Sequence, residues 1–341
     1  MLREAATPLV ASHDLFMLDL DGVVYISGHA IEGVPQAIRR IREAGARVAF
    51  VTNNASRTAA AVAERLVALG VEAATEDVVT SAQAAAGLLV RRFGAGARVL
   101  MLGAAGLAGA LGDAGLVPVT DAEDEDVVAV VTGYGPDVLW RDIMRTAVRV
   151  REGLFWVATN TDTTIPTDFG IAPGHGVLVE TLSRFTGVEP LVAGKPQPPL
   201  LLETIARVTG SAPLMVGDRL DTDIEGARNA GVPSLLVLTG VTGLRELVEA
   251  RPVERPDYLS PALDGAFAAH PVPVMTDGAA ELGGWRAAVN PDGRLTVAGT
   301  GRVEDWWRVV ACAGWAHLDH TGAPVVVDGL AAPAAGSDPG R

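Results

Sequence analysis

Cysteine is almost missing from this chain. Cys312 is the only one in 341 residues, which rules out an intrachain disulfide and suits a reducing compartment. Lysine is as scarce: of 27 basic residues only Lys195 is a lysine, and the rest are arginines. Positive charge is in deficit overall. The net charge of −14 argues against nucleic acid or an anionic membrane surface as the main partner. Long apolar runs are missing too. The uncharged run that most resembles a membrane segment, between Arg98 and Asp113, has 14 residues and contains glycines, too short for a bilayer-spanning helix. Near the start, Arg3 and Glu4 precede only a short mixed segment ending at His13 and Asp14, without a signal-peptide pattern. These absences together predict a cytoplasmic protein with neither a membrane nor a nucleic acid as partner. A small anionic substrate stays compatible with the charge, because cations inside a cleft reverse the local field.

What is present is organised around residues 15–25, LFMLDLDGVVY. Residues 15–18 read as a strand buried on both faces, as in a sheet covered by helices on both sides. It runs into Asp19 and Asp21, followed by Gly22. Two carboxylates at the end of a buried strand are costly unless a counter-charge meets them. In an open α/β sheet, ligands bind beyond the carboxyl ends of the strands. An Asp-Gly turn at a strand end would be the plain alternative. The pattern then repeats. A helix over 33–45 leads to a strand over 47–51 that ends in Thr52, Asn53 and Asn54. A helix from about Ala59 to Leu69 follows, and its N-terminus offers N–H groups to an anion. Asn and Ser would also serve there as ordinary helix caps.

From Glu72 to about Gly187 the chain reads as a second α/β unit. Strands are expected over 97–103, 127–133 and 154–159, a helix over 137–152, and a long polar loop from Asn160 to Gly176. Gly103, Gly106 and Gly109 lack the spacing of a dinucleotide-binding loop. The first pattern resumes at VAGKP, residues 192–196, which sets Lys195 on a short loop. A compact ammonium on a phosphate is one role that a guanidinium cannot fill, and a stray lysine on a surface turn is the plain alternative. A helix over 198–210 and the strand PLMVGD follow, ending at Asp218, with Asp221 and Asp223 just beyond. Four strand ends thus carry Asp19 and Asp21, Thr52 and Asn53, Lys195, and Asp218 and Asp223. A parallel sheet directs such ends to one crevice. Hard carboxylates without His or Cys suit Mg²⁺, and an anion cradle suits a phosphate.

DLDGV, TNN, GKP and GDRLDTD, in that order, resemble the four signature motifs of the haloacid dehalogenase superfamily of phosphatases. The resemblance spans residues 15–240. About thirty residues lie between Asp21 and Thr52, and 142 between Thr52 and Lys195, room for an α/β cap. With TNNASRT and GHGVLVETL, this layout is similar to the subgroup of 4-nitrophenyl, NagD-like nucleotide, phosphoglycolate, glycerol 3-phosphate and pyridoxal phosphate phosphatases. The resemblance implies an α/β fold: a Rossmann-like doubly wound parallel sheet core, with an inserted α/β cap between the second and third motifs. The core would comprise residues 1–80 and 188–263, and the cap 81–187. It also implies roles. Asp19 would attack phosphorus, and Asp21 would act as acid and then base. Thr52, Asn53 and Lys195 would hold the phosphoryl oxygens. Asp19, Asp21 (through its backbone carbonyl) and Asp218 would bind Mg²⁺, with Asp223 in support.

In the cap, the loop bearing Asn160 and Asp162 is expected to select the substrate. Pyridoxal phosphatases of the subgroup have a His where this chain has Ile165, which disfavours that ester. GDRLDTDI and LTGVTGL look most like the glycerol 3-phosphate and phosphoglycolate members. Glycerol 3-phosphate is therefore the expected substrate, in glycerolipid metabolism. Phosphoglycolate, sugar phosphates and nucleotides are alternatives within the family. A regulatory protein with a vestigial phosphatase site is an alternative outside it. A homodimer is compatible with all of these.

Residues 264–330 exceed the usual family length and read as a small α+β extension. It comprises a hairpin over Trp285–Val297 about Asn290-Pro291-Asp292-Gly293, a helix over Asp305–His317, and a strand in GAPVVVDGL. The extension loosely resembles a truncated piece of an acetyltransferase-like fold. It has no complete acyl-CoA phosphate loop, so no acetyl transfer is expected. Residues 331–341, rich in Ala, Pro, Gly and Ser, read as a disordered tail.

Overall fold

The computed structural model describes residues 1–333 apart from Asp168. The chain forms two compact units, one of residues 1–48 with 210–341 and one of residues 49–209. The predicted tail falls mostly on residues 334–341, which lie outside the described residues.

The first unit is built on parallel strands. Leu15–Leu18 is buried at all four positions, as its uninterrupted apolar sequence predicts. It pairs in parallel with Pro213–Gly217, from Leu15 opposite Pro213 to Leu18 opposite Val216. Ser234–Val237 and then Tyr258–Ser260 continue the parallel sheet. The helix Val34–Glu43 buries Val34, Ala37, Ile38 and Ile41, the helical spacing read from the sequence. The ladder that ends at Val216 is extended by the Asp19 N–H, which donates to the Val216 carbonyl at 3.0 Å. Asp19 and Asp218 therefore leave neighbouring strand ends.

The extension belongs to this same unit. Val274–Thr276, Ala279–Leu282, Trp285–Val289 and Leu295–Gly299 form an antiparallel sheet in that order, and the last two are the predicted hairpin. The predicted helix runs over Val303–Thr321. Trp306, Val309, Val310 and Ala313 cluster with Ala280, Ala287 and Leu295 of the antiparallel sheet. Ala311 and Trp315 cluster instead with Leu236, Leu247 and Leu259 beside the parallel strands. One helix thus fills two cores. GAPVVVDGL is not a strand. It meets the sheet at a single bridge between Val326 and Arg294, because Gly322 ends the helix in the left-handed region and the segment turns again at Asp328 and Gly329.

In the second unit Arg47–Thr52, which begins two residues before the division, pairs in parallel with Val78–Thr80. A five-stranded parallel sheet runs in the order Leu191–Val192, Phe155–Ala158, Ala129–Thr132, Arg98–Leu102, Val117–Val119. Trp140–Arg151 and His175–Thr186 cover a core around Val130, Val150, Trp156 and Leu182. The polar stretch after Asn160 is not one long loop. It contains an antiparallel hairpin of Thr164–Thr167 and Gly170–Pro173, and the next helix begins at His175.

Candidate active site

The first unit gathers carboxylates. Asp19, Asp218 and Asp223 each offer an oxygen, and these oxygens lie within 4.8 Å of one another. Asp218 and Asp223 are buried, with 0% and 1% of their surface exposed. Two unit charges 4.8 Å apart repel by about 3 kcal/mol at an effective dielectric near 20. Such a trio is held together by the fold and eased by a cation. The backbone clears the space. Gly22 has φ +84°, a conformation that strains any L side chain, and a Cβ there would also run into the Asp218 carboxylate. A Cβ on Gly240 would strike the same carboxylate. The Val241 N–H donates to Asp218 Oδ2 at 2.7 Å, and the Thr239 hydroxyl donates to the Gly22 carbonyl at 2.5 Å. Asp223 turns Oδ2 back to accept the N–H groups of Asp218 (3.2 Å) and Arg219 (3.1 Å), so it braces the strand end as well as facing its neighbours. Asp221, in contrast, is exposed and paired with Arg219 at 2.8 Å. All-oxygen donors without His or Cys fit a hard divalent cation such as Mg²⁺. Asp21 stands outside the trio. It is exposed, and its Oδ2 accepts from the Tyr25 hydroxyl at 3.4 Å.

The second unit gathers the anion-binding candidates. Thr52 is buried at the end of its strand, and its Oγ1 accepts the Asn54 N–H at 3.1 Å. A hydroxyl that accepts one N–H still has its own proton to donate. Lys195 is only 2% exposed. Its N–H donates to Asn53 Oδ1 at 2.8 Å, and its carbonyl accepts from Asn53 Nδ2 at 2.9 Å. The Asn53 side chain is therefore engaged with the Lys195 backbone. Asp162 Oδ1 takes a further bond from Asn53 Nδ2 at 3.1 Å, and Asn160 Nδ2 donates to the Asn53 carbonyl at 2.8 Å. Of the residues predicted from sequence, the structure brings Asp19, Asp218 and Asp223 together in one unit. It brings Asn53, Asn160, Asp162 and Lys195 together in the other. Sequence reasoning missed Ser81, fully buried, whose hydroxyl donates to the Asn53 carbonyl at 2.6 Å. It follows Thr80, which caps the next helix in a capping box with Gln83, and that Thr-x-x-Gln spacing was a visible signal. Tyr25 was visible only as part of the opening stretch.

Comparison with known proteins agrees with this geometry. A model of haloacid dehalogenase-like hydrolases matches residues 16–117, which carry Asp19, Asp21, Thr52 and Asn53. A second, HAD-hydrolase-like model matches residues 192–266, which carry Lys195, Asp218 and Asp223. D-glycerol 3-phosphate phosphatase of Mycobacterium tuberculosis is 44% identical over 297 residues, 87% of this chain and 82% of its own. Acid sugar phosphatase of Staphylococcus aureus is 37% identical over 234 residues, 68% of this chain and 89% of its own. Among solved structures, the M. tuberculosis glycerol phosphate phosphatase in complex with magnesium superposes with TM-score 0.83 at 41% identity, covering 94% of both chains. The 4-nitrophenylphosphatase of Thermotoga maritima superposes with TM-score 0.70 at 31% identity, covering 76% of this chain and 98% of its own. The motif residues, the carboxylate trio and these similarities agree: the chain belongs to the haloacid dehalogenase-like hydrolases.

Proposed function

We propose that this protein is a Mg²⁺-dependent phosphatase that hydrolyses glycerol 3-phosphate. The observation that carries the reading is the 44% identity, over 82% of its length, with a protein named D-glycerol 3-phosphate phosphatase. In the proposed reaction an Asp19 carboxylate oxygen attacks phosphorus, and the bond from phosphorus to the glycerol oxygen breaks. The leaving oxygen takes its proton from Asp21. Asp21, now a carboxylate, accepts a proton from water as that water attacks the acyl phosphate. Inorganic phosphate leaves and Asp19 is regenerated. Thr52 and Lys195 hold phosphoryl oxygens, while the side chain of Asn53, expected to join them, is engaged with the Lys195 backbone. Mg²⁺, held by Asp19, Asp218 and the Asp21 backbone carbonyl with Asp223 in support, supplies charge neutralisation between the carboxylates and the phosphate. Asp21 suits its part: it is exposed and outside the trio, so its proton can exchange with the leaving group and with water.

Residues 81–187 are read as the cap that restricts the enzyme to small esters. No helix among the described residues is long and apolar enough to cross a membrane, and we place the protein in the cytoplasm. The experiment is phosphate release with Mg²⁺ from glycerol 3-phosphate, 2-phosphoglycolate, sugar phosphates, nucleoside monophosphates and 4-nitrophenyl phosphate. A preference for glycerol 3-phosphate, and a loss of about three orders of magnitude or more in Asp19→Asn, are expected. Preference for a sugar phosphate would favour the likeness to acid sugar phosphatase. No release from any ester would overturn the enzymatic reading.

A further inference from the structure

Lys195 is held by its backbone. The Asn53 amide meets the Lys195 peptide at two points, accepting its N–H at 2.8 Å and donating to its carbonyl at 2.9 Å. An asparagine amide can rotate by half a turn with little steric cost, so something must set its orientation. Asp162 does so. Its Oδ1 accepts the other Nδ2 hydrogen of Asn53 at 3.1 Å. A turned amide would set its oxygen against both this carboxylate and the Lys195 carbonyl, and its NH₂ against the Lys195 N–H. Asp162 is itself fixed from two sides. Its N–H donates to Asn160 Oδ1 at 3.2 Å, and its carbonyl accepts the Gly176 N–H at 2.8 Å. The Thr163 carbonyl accepts the Gly174 N–H at 2.8 Å, so the loop is pinned to the start of the helix His175–Thr186. The Asn53 carbonyl is gripped by Asn160 Nδ2 and the Ser81 hydroxyl, at 2.8 and 2.6 Å. Gly194 makes the close approach possible, since a Cβ there would lie 2.6 Å from Asn53 Oδ1.

We infer that Asp162 and Asn160 are positioning residues: through Asn53 they hold the Lys195 peptide, and with it the base of the stem that carries the ammonium. This role differs from the direct selection of substrate expected of their loop. The inference rests on the reading of Lys195 as a phosphate ligand. A point charge on a four-carbon stem acts on a phosphoryl group only from the right place, and small displacements of such groups are costly in rate. Because the same ammonium would serve every ester, loosening its base should slow all substrates alike.

The test compares Asp162→Ala, Asp162→Asn and Lys195→Ala with the unaltered full chain, using glycerol 3-phosphate and 4-nitrophenyl phosphate and recording thermal midpoints. Asp162→Ala is expected to lower kcat/KM about tenfold or more for both esters, by the same factor, with a midpoint within about 2 °C of the unaltered chain. Asp162→Asn still offers Asn53 an acceptor oxygen and should recover activity to within about threefold of the unaltered chain. The inference is overturned if Asp162→Ala changes the ratio between the two esters, which would make Asp162 a selector. It is also overturned if Ala and Asn lower activity and midpoint alike, which would make its role purely structural. Full activity in Asp162→Ala with an inactive Lys195→Ala sinks this inference alone. Full activity in Lys195→Ala sinks the reading of Lys195 on which it stands.

Discussion

At the scale of single residues, the chain's sole lysine is the most informative position. Lys195 is 2% exposed, on a peptide clamped by Asn53 at 2.8 and 2.9 Å. A buried cation is held in place only where its environment compensates for lost hydration. With the peptide fixed, a longer and planar guanidinium cannot set its charge at the point the ammonium occupies. Lys195→Arg is accordingly expected to lower kcat/KM for 4-nitrophenyl phosphate by about two orders of magnitude or more while the fold persists. A variant with near-normal turnover would show that charge alone suffices there. That this residue is a special position was legible in the sequence, because its rarity and its GKP setting isolate it. The engagement of the Asn53 side chain was not. Its bonds to Asp162 and Lys195 cross 109 and 142 residues of chain, and nothing in a TNN turn encodes a partner at that distance.

At the scale of elements, the helix Val303–Thr321 shows how the extension is joined to the parallel strands. Trp315 is fully buried, and its indole N–H donates to the Leu247 carbonyl at 2.7 Å. Arg255 clasps Asp319 through two bonds of 2.7 Å. Deeper, Arg308 donates to Asp305 at 2.9 Å and to His270 Nδ1 at 3.2 Å, while His270 Nε2–H donates to the Gly265 carbonyl at 2.8 Å. His270 must be neutral to accept from a guanidinium. Burial, aided by the Arg308 charge, pushes its pKa down to about 4. Since the unfolded histidine titrates near 6.5, the unfolded chain binds the proton first as pH falls. The stabilisation from neutral His270 is complete above 6.5 and is lost progressively towards pH 4, by an amount on the order of 3 kcal/mol. The thermal midpoint should therefore fall from pH 7 to pH 5 more steeply in the unaltered chain than in His270→Gln. Equal slopes would remove His270 from the account. The hairpin and this helix were legible from period and turn chemistry. That GAPVVVDGL is not a strand was hidden, because a run of valines reads as β wherever it stands, and pairing depends on which edge the fold leaves open.

At the scale of the whole molecule, the net charge of −14 and the carboxylate trio act in the same direction. Mutual repulsion within the trio opposes folding, and a cation that binds only the folded chain relieves it. Mg²⁺ at a hundred times its dissociation constant would add about 2.7 kcal/mol to stability. A thermal midpoint higher by a few degrees in Mg²⁺ than in EDTA is expected. Asp218→Asn keeps an oxygen for the Val241 N–H but drops one negative charge. It should raise the midpoint in EDTA and abolish the Mg²⁺-dependent rise. A variant that still responds to Mg²⁺ would place the cation elsewhere.

The sequence by itself determined the chemical inventory: which side chains stand at the ends of which strands, and in what order along the chain. Asp19, Asp21, Thr52 and Asp218 stood out because a buried parallel strand is a continuous apolar run, and the polar residues at its end break it; Lys195 stood out by its rarity and its GKP loop. Only the tertiary structure decided how those side chains are used. It made Asn53 a clamp on Lys195, and it gave the helix Val303–Thr321 two cores to fill. It also set Asp218 in a space cleared by Gly22 and Gly240. The reason is physical. Apolar runs and turn chemistry act over a few residues and leave local traces, whereas hydrogen bonds and close approaches between distant segments exist only once the chain has packed.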